Sequence, residues 1–437
     1  MKYYLIALSC LSLLFVNVAF CGWSDKEYES ALDSLADAVN DLGSTFDGEY
    51  PAKELLAEIQ KIRLELRPGN DVSNLKDRIG KLQRRALVTA NPLLTEYPIL
   101  YVARDQYPPD HHNTATMFQT DEINTRKYRG RGYIKTVDFS KNGEVTTLLD
   151  PGATATPRDP EVSFDGKQIV FSMRKNVEDD YHIYTINSDG TGLKQLTSAD
   201  GVFDIDPLYL ANGQIAFTSS REPKYCMCNR YIMGNLFKMD GDGANIHQIG
   251  VSTLFEGHGS LMPDGRIMYY RWEYVDRNFG DAQGLWVVNP DGTNHAIYWG
   301  NNTGSPGGVL DGRIIPGTQL CIATLSSCHD RPWGAIGIID RNKGIDSSDA
   351  IIKTWPESAK RLCNPKGSFD TFTRVKPKYE DPYPLSENFF LVSRQVGRKM
   401  GICLIDMFGN EIVIHTDDQG CFDPKPVAPR KRPEVKP

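Results

Sequence analysis

The stretch DPEVSFDGKQIVFSMRK (residues 159–175), with YHIYTINSDGTGLKQLT (residues 181–197) after it, decides the fold because its pattern is repeated along the chain. Short runs of β-forming residues alternate with Asp-Gly turns. Glycine suits these turns because hairpin turns require positive φ angles. The unit therefore predicts four antiparallel strands, A to D, with tight turns after A and C and a variable loop between B and C.

The same unit returns roughly every 50 residues. Two clear copies are DPLYLANGQIAFTSSRE with GNLFKMDGDGANIHQIG, and GHGSLMPDGRIMYYRWEY with QGLWVVNPDGTNHAIYWG. Less regular copies are predicted over residues 304–358 and 369–416. Repeated four-stranded units with no helices between them indicate the blades of a β-propeller.

The two ends of the repeat region predict how the ring closes. PILYVARD (98–105) and GYIKTVDFSKNGEVTTLL (132–149) match strands B to D, but no strand A precedes them. CFDPKPVAP (421–429) resembles the start of a strand A. We therefore expect the C-terminal segment to supply the missing inner strand, which gives an all-β, six-bladed propeller over residues 97–428 without exposed sheet edges.

Three segments flank the predicted propeller. Residues 1–21 are typical of a signal peptide, with Lys2, an apolar run too short to span a bilayer, and small residues before Gly22. Residues 24–92 have helical periodicity, with Ser24 as an N-cap, and predict an N-terminal helical arm. Residues 429–437 form a basic, proline-rich tail that we expect to be a solvated extension. The protein is thus expected to be periplasmic or secreted, with no membrane span.

Charge and cysteine content restrict the possible partners. The formal net charge of −7 argues against nucleic acid as a partner. Of nine cysteines, two lie in the predicted signal peptide, so seven remain. Export permits disulfides, but an odd number leaves at least one cysteine unpaired within the chain.

The candidate site follows from the direction of the strands. In antiparallel blades the B–C loops and the D–A connections emerge on one face, and the tight turns emerge on the other. The metal-capable residues that this rule places on the loop face are His111, His112, Cys226, Cys228, His258, Cys328 and His329. Thiolate and imidazole ligands gathered in this way are typical of zinc or another transition metal.

A structural alternative remains open for the same residues. Cysteines in long loops of exported proteins commonly pair, and a bond from Cys226 or Cys228 to Cys328 would join neighbouring loops. Asp159 and Asp206 are expected to accept hydrogen bonds from backbone amides rather than act as acid or base. The sequence has no phosphate-binding loop and no nucleophile elbow, which favours a binding protein over an enzyme.

The repeats also resemble known proteins. HIYTINSDGTGLKQLT and NLFKMDGDGANIHQIG look like repeats of TolB-type propellers. GRIMYYRWEYVDR, LWVVNPDGT, YWGNN and FDPKPVAPRKRP, with ALVTANPLL before the repeats, are similar to exported bacterial proteins of the hydrazine synthase alpha subunit type. That resemblance implies a shared propeller scaffold and, through the family, a metal- or haem-associated redox subunit.

The resemblance has one departure. Covalent attachment of c-type haem requires Cys-x-x-Cys-His, whereas SSCHD at 326–330 follows Leu325 and lacks the first cysteine. A covalent c-type haem is therefore not expected. The first hypothesis is an exported binding or scaffold module that engages a protein or small ligand through the loop face, and the alternative is a metal- or haem-associated redox subunit.

Overall fold

The computed structural model describes residues 24–66, 74–114, 128–226, 232–274 and 278–436. The predicted signal peptide and the candidate ligand Cys228 lie outside these residues. Within the described ranges, no helix is long and apolar enough to cross a membrane.

The N-terminal region is helical. Its helices are α1 (Asp25–Thr45), α2 (Ala52–Glu65), α3 (Leu75–Arg84), which continues into a π-helical turn at Arg85–Thr89, and α4 (Pro92–Thr95). Ser24 caps α1 as its position predicts: its side chain accepts from the Glu27 amide, and the Glu27 carboxylate accepts from the Ser24 amide. The apolar faces of these helices share one core with strands from both ends of the repeat region.

This shared core makes the arm part of the folded unit, and we expect Leu55→Ala on α2 to destabilise the whole protein. Leu55 is fully buried, so truncation should lower the free energy of unfolding by about 2–5 kcal/mol. Urea denaturation followed by tryptophan fluorescence measures the change. Leu64→Ala on the same helix is the matched control, because Leu64 is 58% exposed and should cost less than about 0.5 kcal/mol. Equal effects of the two substitutions would contradict a shared core.

The rest of the chain is built from short strands. They are β1 (Ile99–Arg104), β2 (Tyr133–Asp138), β3 (Glu144–Leu149), β4 (Thr156–Val162), β5 (Gln168–Arg174), β6 (His182–Asn187), β7 (Lys194–Gln195), β8 (Asp204–Tyr209), β9 (Ile215–Ser219), β10 (Asn235–Met239), β11 (His247–Gln248), β12 (Glu256–Leu261), β13 (Ile267–Trp272), β14 (Gln283–Val288), β15 (Ala296–Trp299), β16 (Gly308–Ile314), β17 (Cys321–Ser326), β18 (Gly334–Ile339), β19 (Ile351–Trp355), β20 (Tyr379–Pro384), β21 (Phe389–Val396), β22 (Lys399–Asp406), β23 (Glu411–His415) and β24 (Gly420–Pro426). Short 3₁₀ turns lie at Phe139–Lys141, Arg341–Lys343, Ser348–Ala350, Glu357–Leu362 and Thr371–Arg374.

The strands form antiparallel sheets. Four sheets have four strands each, in the orders β24-β1-β2-β3, β4-β5-β6-β7, β11-β10-β9-β8 and β12-β13-β14-β15. The remaining strands make one larger sheet, in which β16–β19 and β20–β23 are joined by the single residue pair Gly334 and Tyr379. The C-terminal strand β24 pairs antiparallel with β1, the first strand of the chain.

One strand of every four-stranded unit carries the same irregularity. In β4, β8, β12, β16, β20 and β24 the pairing register shifts around a residue with left-handed backbone conformation. These residues are Asp159, Asp206, His258, Asp311, Asp381 and Asp423, with φ between 52° and 55°. Each is followed by proline or glycine. Aspartate and histidine tolerate this conformation better than most residues, and such bulges turn a side chain away from the regular sheet.

The aspartates at these positions link neighbouring sheets. Asp206 N donates to Asp159 Oδ2 (3.3 Å), and His258 N donates to Asp206 Oδ2 (3.0 Å). Asp423 N donates likewise to Asp381 Oδ2 (3.0 Å). The expected role of Asp159 and Asp206 as acceptors for backbone amides is therefore confirmed.

The C-terminal tail is held more firmly than a solvated extension. Arg430 N donates to Phe164 O, and the Arg430 guanidinium bonds Val162 O and the Glu161 carboxylate. Its guanidinium also lies 4.7 Å from the centre of the Phe164 ring. A buried carboxylate that needs cations explains the difference, since a basic tail next to it supplies one.

Candidate metal centre

Four chain segments meet around the predicted loop residues. His111 and His112 come from the segment between β1 and β2, and Cys328 and His329 from the segment between β17 and β18. The segment before β20 contributes Phe369 and Asp370, and the segment between β13 and β14 contributes Phe279. The structure thus brings together four of the seven residues that the sequence singles out.

Backbone hydrogen bonds hold these segments in place. Asn113 N donates to Cys328 O (2.8 Å), and Cys328 N donates to Phe369 O (3.0 Å). The Asn113 amide nitrogen Nδ2 donates to Ser327 O at 3.0 Å. Three loops that are far apart in sequence are therefore fixed to one another beside the histidines, which lowers the conformational entropy lost when a ligand binds.

The three histidines form a compact group. One ligand nitrogen from each of His111, His112 and His329 lies within 4.8 Å of the other two. The ring centroids are 4.4 Å apart for His111 and His112, and 4.8 Å and 4.9 Å from these two rings to His329. In the described part of the chain this is the one group of three or more His, Cys, Asp or Glu residues with metal-ligand spacing.

A carboxylate orients His329. Its Nδ1 lies 2.8 Å from Asp370 Oδ2, and its backbone amide donates to Asp370 Oδ1 at 2.9 Å. When Nδ1 carries the proton that it donates to this carboxylate, Nε2 keeps its lone pair. A histidine that donates its second ring N–H to a carboxylate is typical of metal sites, because this contact fixes the tautomer and raises the basicity of the ligand nitrogen.

His112 is oriented by Cys328. Its Nδ1 lies 3.4 Å from Cys328 Sγ, which also accepts from Gln283 Nε2 at 2.9 Å. His112 Nε2 is buried and has no hydrogen-bond partner among the described residues. Burial, together with the neighbouring His111 and His329, lowers the pKa of His112 to about 3. The imidazole is therefore neutral at physiological pH, which is the form that binds metals.

Aromatic rings enclose the group on one side. The Trp272 ring centroid lies 4.9 Å from that of His112, and the Phe279 and Phe369 centroids lie 5.7 Å and 5.5 Å from that of His329. Such a wall excludes water and strengthens electrostatic interactions inside the site. Three imidazole nitrogens with a free fourth position would suit Zn²⁺ with one exchangeable ligand, and the same donors accept copper or cobalt.

The other predicted ligands lie elsewhere. Cys226 is buried in an apolar cluster with Tyr270 and Trp272, outside the histidine group. His258 lies on β12, where its Nδ1 is 2.6 Å from Asp311 Oδ1. The structure places His258 outside the group of loop histidines, because its position on the strand bulge brings its ring to Asp311.

Buried carboxylates of the neighbouring strands have structural partners. Asp204 forms an ion pair with Arg221. Glu256 accepts from Asn235 Nδ2 (2.7 Å) and lies 3.9 Å from Arg271. Of the nearby aromatic residues, Trp272 lies beside His112, whereas Tyr225 is 57% exposed and Trp333 packs against Arg331.

The remaining cysteines are buried thiols. Cys321, Cys363, Cys403 and Cys421 are free, and burial raises the pKa of Cys363 and of Cys421 to about 12. A thiol with a raised pKa is a poor nucleophile and a poor metal ligand. These four cysteines therefore belong to the hydrophobic core.

Sequence reasoning missed Asp370 and Gln283, which orient His329 and Cys328. Gln283 begins strand β14, and Asp370 lies in the long irregular connection between β19 and β20. Position in a repeat could have indicated Gln283, whereas the contact of Asp370 depends on how a long irregular connection folds back.

Comparison with solved structures shows the fold. Hydrazine synthase from Kuenenia stuttgartiensis matches with a TM-score of 0.60 and 19% identity over 78% of this chain. TolB from Acinetobacter baumannii matches with a TM-score of 0.49 and 13% identity over 76% of this chain. The chain has a β-propeller fold, as its repeats predict, and the resemblance to hydrazine synthase is confirmed at the level of fold.

The chain covers only part of each of these solved structures. This chain spans 48% of the hydrazine synthase chain and 66% of the TolB chain. No family model matches the sequence. No curated protein matches it either.

Proposed function

We propose that this protein is a β-propeller module that binds a transition metal, with Zn²⁺ as the best-suited ion, through His111, His112 and His329. The observation that carries the proposal is the convergence of three imidazoles, one of them held by Asp370 and another with a buried, unpartnered Nε2. A carboxylate on the far nitrogen of a histidine is the usual support of such a ligand. The open fourth position would hold water or a group from a bound ligand.

The proposal includes the architecture that presents the site. Six blades are supported by the repeated bulge in six strands and by the single pair that joins the two halves of the larger sheet. Ring closure is supported by the pairing of β24 with β1. In this arrangement the histidines lie on the loop face, which is where a binding module engages its partner.

A broader role follows from the same site. We infer an exported module that presents a metal at its binding face to a protein or small ligand. A redox role related to that of hydrazine synthase is the second candidate, favoured by the structural match to that protein. The redox candidate needs a metal that changes oxidation state, such as copper, whereas the first candidate works with Zn²⁺.

Titration of metal-free protein with Zn²⁺ in a calorimeter tests the proposal. We expect one equivalent to bind, and we expect the double variant His111→Ala/His329→Ala to bind at least about 100-fold more weakly because one imidazole cannot hold the ion. His247→Ala is the matched control, since His247 is exposed on β11, away from the site. Absence of binding by the unmodified protein, or undiminished binding by the double variant, would overturn the assignment.

The support of His329 gives a second prediction. Asp370→Asn removes the charge that fixes the His329 tautomer but keeps the size of the side chain. We expect a roughly 10- to 100-fold loss of Zn²⁺ affinity with unchanged stoichiometry. Competition with a chromophoric chelator measures the affinity, and Asp349→Asn, at an exposed position, serves as the control. Equal affinities of the two variants would mean that Asp370 plays no part in metal binding.

A further inference from the structure

A separate cavity lies among the bulged strands. It has a volume of about 60 Å³, which is room for several water molecules since one needs about 10–15 Å³. Its lining includes the left-handed residue of every bulged strand: Asp159, Asp206, His258, Asp311, Asp381 and Asp423. None of the three grouped histidines lines this cavity.

Some of the charged residues that line the cavity are paired with one another. Arg158 Nε donates to Asp159 Oδ2 at 2.6 Å. Glu161 is neutralised by Lys425, Arg313 and the tail residue Arg430. These charged groups therefore need no ligand to neutralise them.

Three further carboxylates line the cavity, at Glu380, Asp381 and Asp423. In the described part of the chain, Glu380, Asp381 and Asp423 form no ion pair within 4 Å; Glu380 accepts from Gln106 Nε2, and Asp381 accepts from Ser393 Oγ. Burial raises the pKa of Glu380 and of Asp423 to about 8 and that of Asp381 to about 7; repulsion between the acids adds to this effect, while Arg104 and Lys425 oppose it. Buried carboxylates of one sign are normally matched by a cation or a proton.

Two buried polar groups beside these acids also lack partners. Arg104 Nε and the Tyr107 hydroxyl have no hydrogen-bond partner among the described residues, although the two side chains are only 5% and 4% exposed. The Arg104 guanidinium lies 3.8 Å from the centre of the Tyr107 ring, and both residues line the cavity. Unsatisfied buried donors are costly, and a ligand that carries an acceptor would satisfy them.

We propose that this cavity binds a small amino acid, with the ammonium group held by Glu380, Asp381 and Asp423 and the carboxylate held by Arg104 and Tyr107. The carboxylates and the adjacent unpartnered donors of the lining match the two charged groups of a zwitterion, which are themselves close together. A ligand with an ammonium group alone would leave Arg104 and Tyr107 unsatisfied. A ligand with a carboxylate alone would add a negative charge to a site that already has a surplus.

Calorimetric titration of the EDTA-treated full chain with glycine tests this assignment independently of the metal centre. We expect glycine to bind, ethylammonium to bind more weakly and acetate not to bind. Asp381→Asn should weaken glycine binding by about tenfold or more, since it removes a charge-assisted contact. Asparagine also tolerates the left-handed backbone at this position. Tyr107→Phe, which removes only the hydroxyl, should weaken binding several-fold, and His329→Ala should leave it unchanged.

Three results with the unmodified protein would overturn the inference. One is the absence of glycine binding at millimolar concentration, and another is equal binding of glycine and acetate. The third is stronger binding of Ca²⁺ than of glycine, which would make the carboxylates an inorganic cation site. If Asp381→Asn does not fold, glycine binding is measured with Glu380→Gln and Tyr107→Phe instead. Undiminished glycine binding by both of these variants would also contradict the proposal.

Discussion

Truncation after Gln419, which removes β24 and the tail, is expected to abolish cooperative unfolding. Cys421 and Phe422 of this strand are fully buried, and the strand pairs with β1, every residue of which is buried. The deletion therefore exposes a hydrophobic sheet edge and removes two core side chains. Their combined loss is comparable to the whole stability of a folded domain, about 5–15 kcal/mol.

Size-exclusion chromatography and thermal denaturation measure the effect of this truncation. The control is truncation after Lys431, which keeps β24 and Arg430 and should leave the melting temperature within a few degrees of the full chain. A soluble, monomeric protein that ends at Gln419 and melts like the control would contradict ring closure by the C-terminal strand.

Glu161→Gln is expected to lower the free energy of unfolding by about 3–5 kcal/mol at pH 7, because it leaves buried cations without their partner. The carboxylate is surrounded by Lys425, Arg313 and Arg430. Although burial alone would raise the pKa of Glu161, these cations outweigh it and lower that pKa to about 2. Glu144→Gln, at an exposed position of β3, is the control and should change stability by less than about 0.5 kcal/mol.

The lowered pKa of Glu161 also determines how its contribution to stability changes with pH. The folded state binds the Glu161 proton less tightly than the unfolded state, in which the glutamate pKa is about 4.3. The contribution of Glu161 to the free energy of unfolding is therefore fully present above about pH 4.3. It decreases as the pH falls toward 2. Urea denaturation at pH 7, 4 and 2.5 should therefore show the difference between the original protein and Glu161→Gln shrinking with acidity. A difference that stays constant, or grows as the pH falls, would show that Glu161 is not ion-paired.

Local signals made most of the secondary structure predictable. The Asp-Gly turns mark hairpins because few other residues adopt their backbone angles, and the helical arm follows from apolar spacing and the Ser24 cap. The similarity between CFDPKPVAP and the other inner strands predicted where β24 belongs. The anchoring of the tail was missed because it depends on Glu161, whose need for cations arises only after folding.

The candidate site was only partly predictable. Repeat position predicts that His111, His112, Cys328 and His329 lie in neighbouring loops, since strand order determines which loops are adjacent, and the structure brings these four together. His258 instead occupies the bulge position held by aspartate in the other repeats. The sequence did contain that signal, because His258-Gly259 aligns with Asp159-Pro160 and Asp311-Gly312. The contact between His329 and Asp370 could not be predicted, since an irregular connection brings the aspartate to the histidine.

X-ray absorption spectroscopy of the protein loaded with one equivalent of Zn²⁺ identifies the atoms that bind the metal. Coordination by His111, His112 and His329 predicts a first shell of nitrogen and oxygen at about 2.0–2.1 Å, with the outer-shell scattering of imidazole rings and no sulfur. The same spectrum is expected for Cys328→Ser, because Cys328 contacts the opposite nitrogen of His112. A sulfur scatterer at about 2.3 Å would contradict the account and place a loop cysteine on the metal instead.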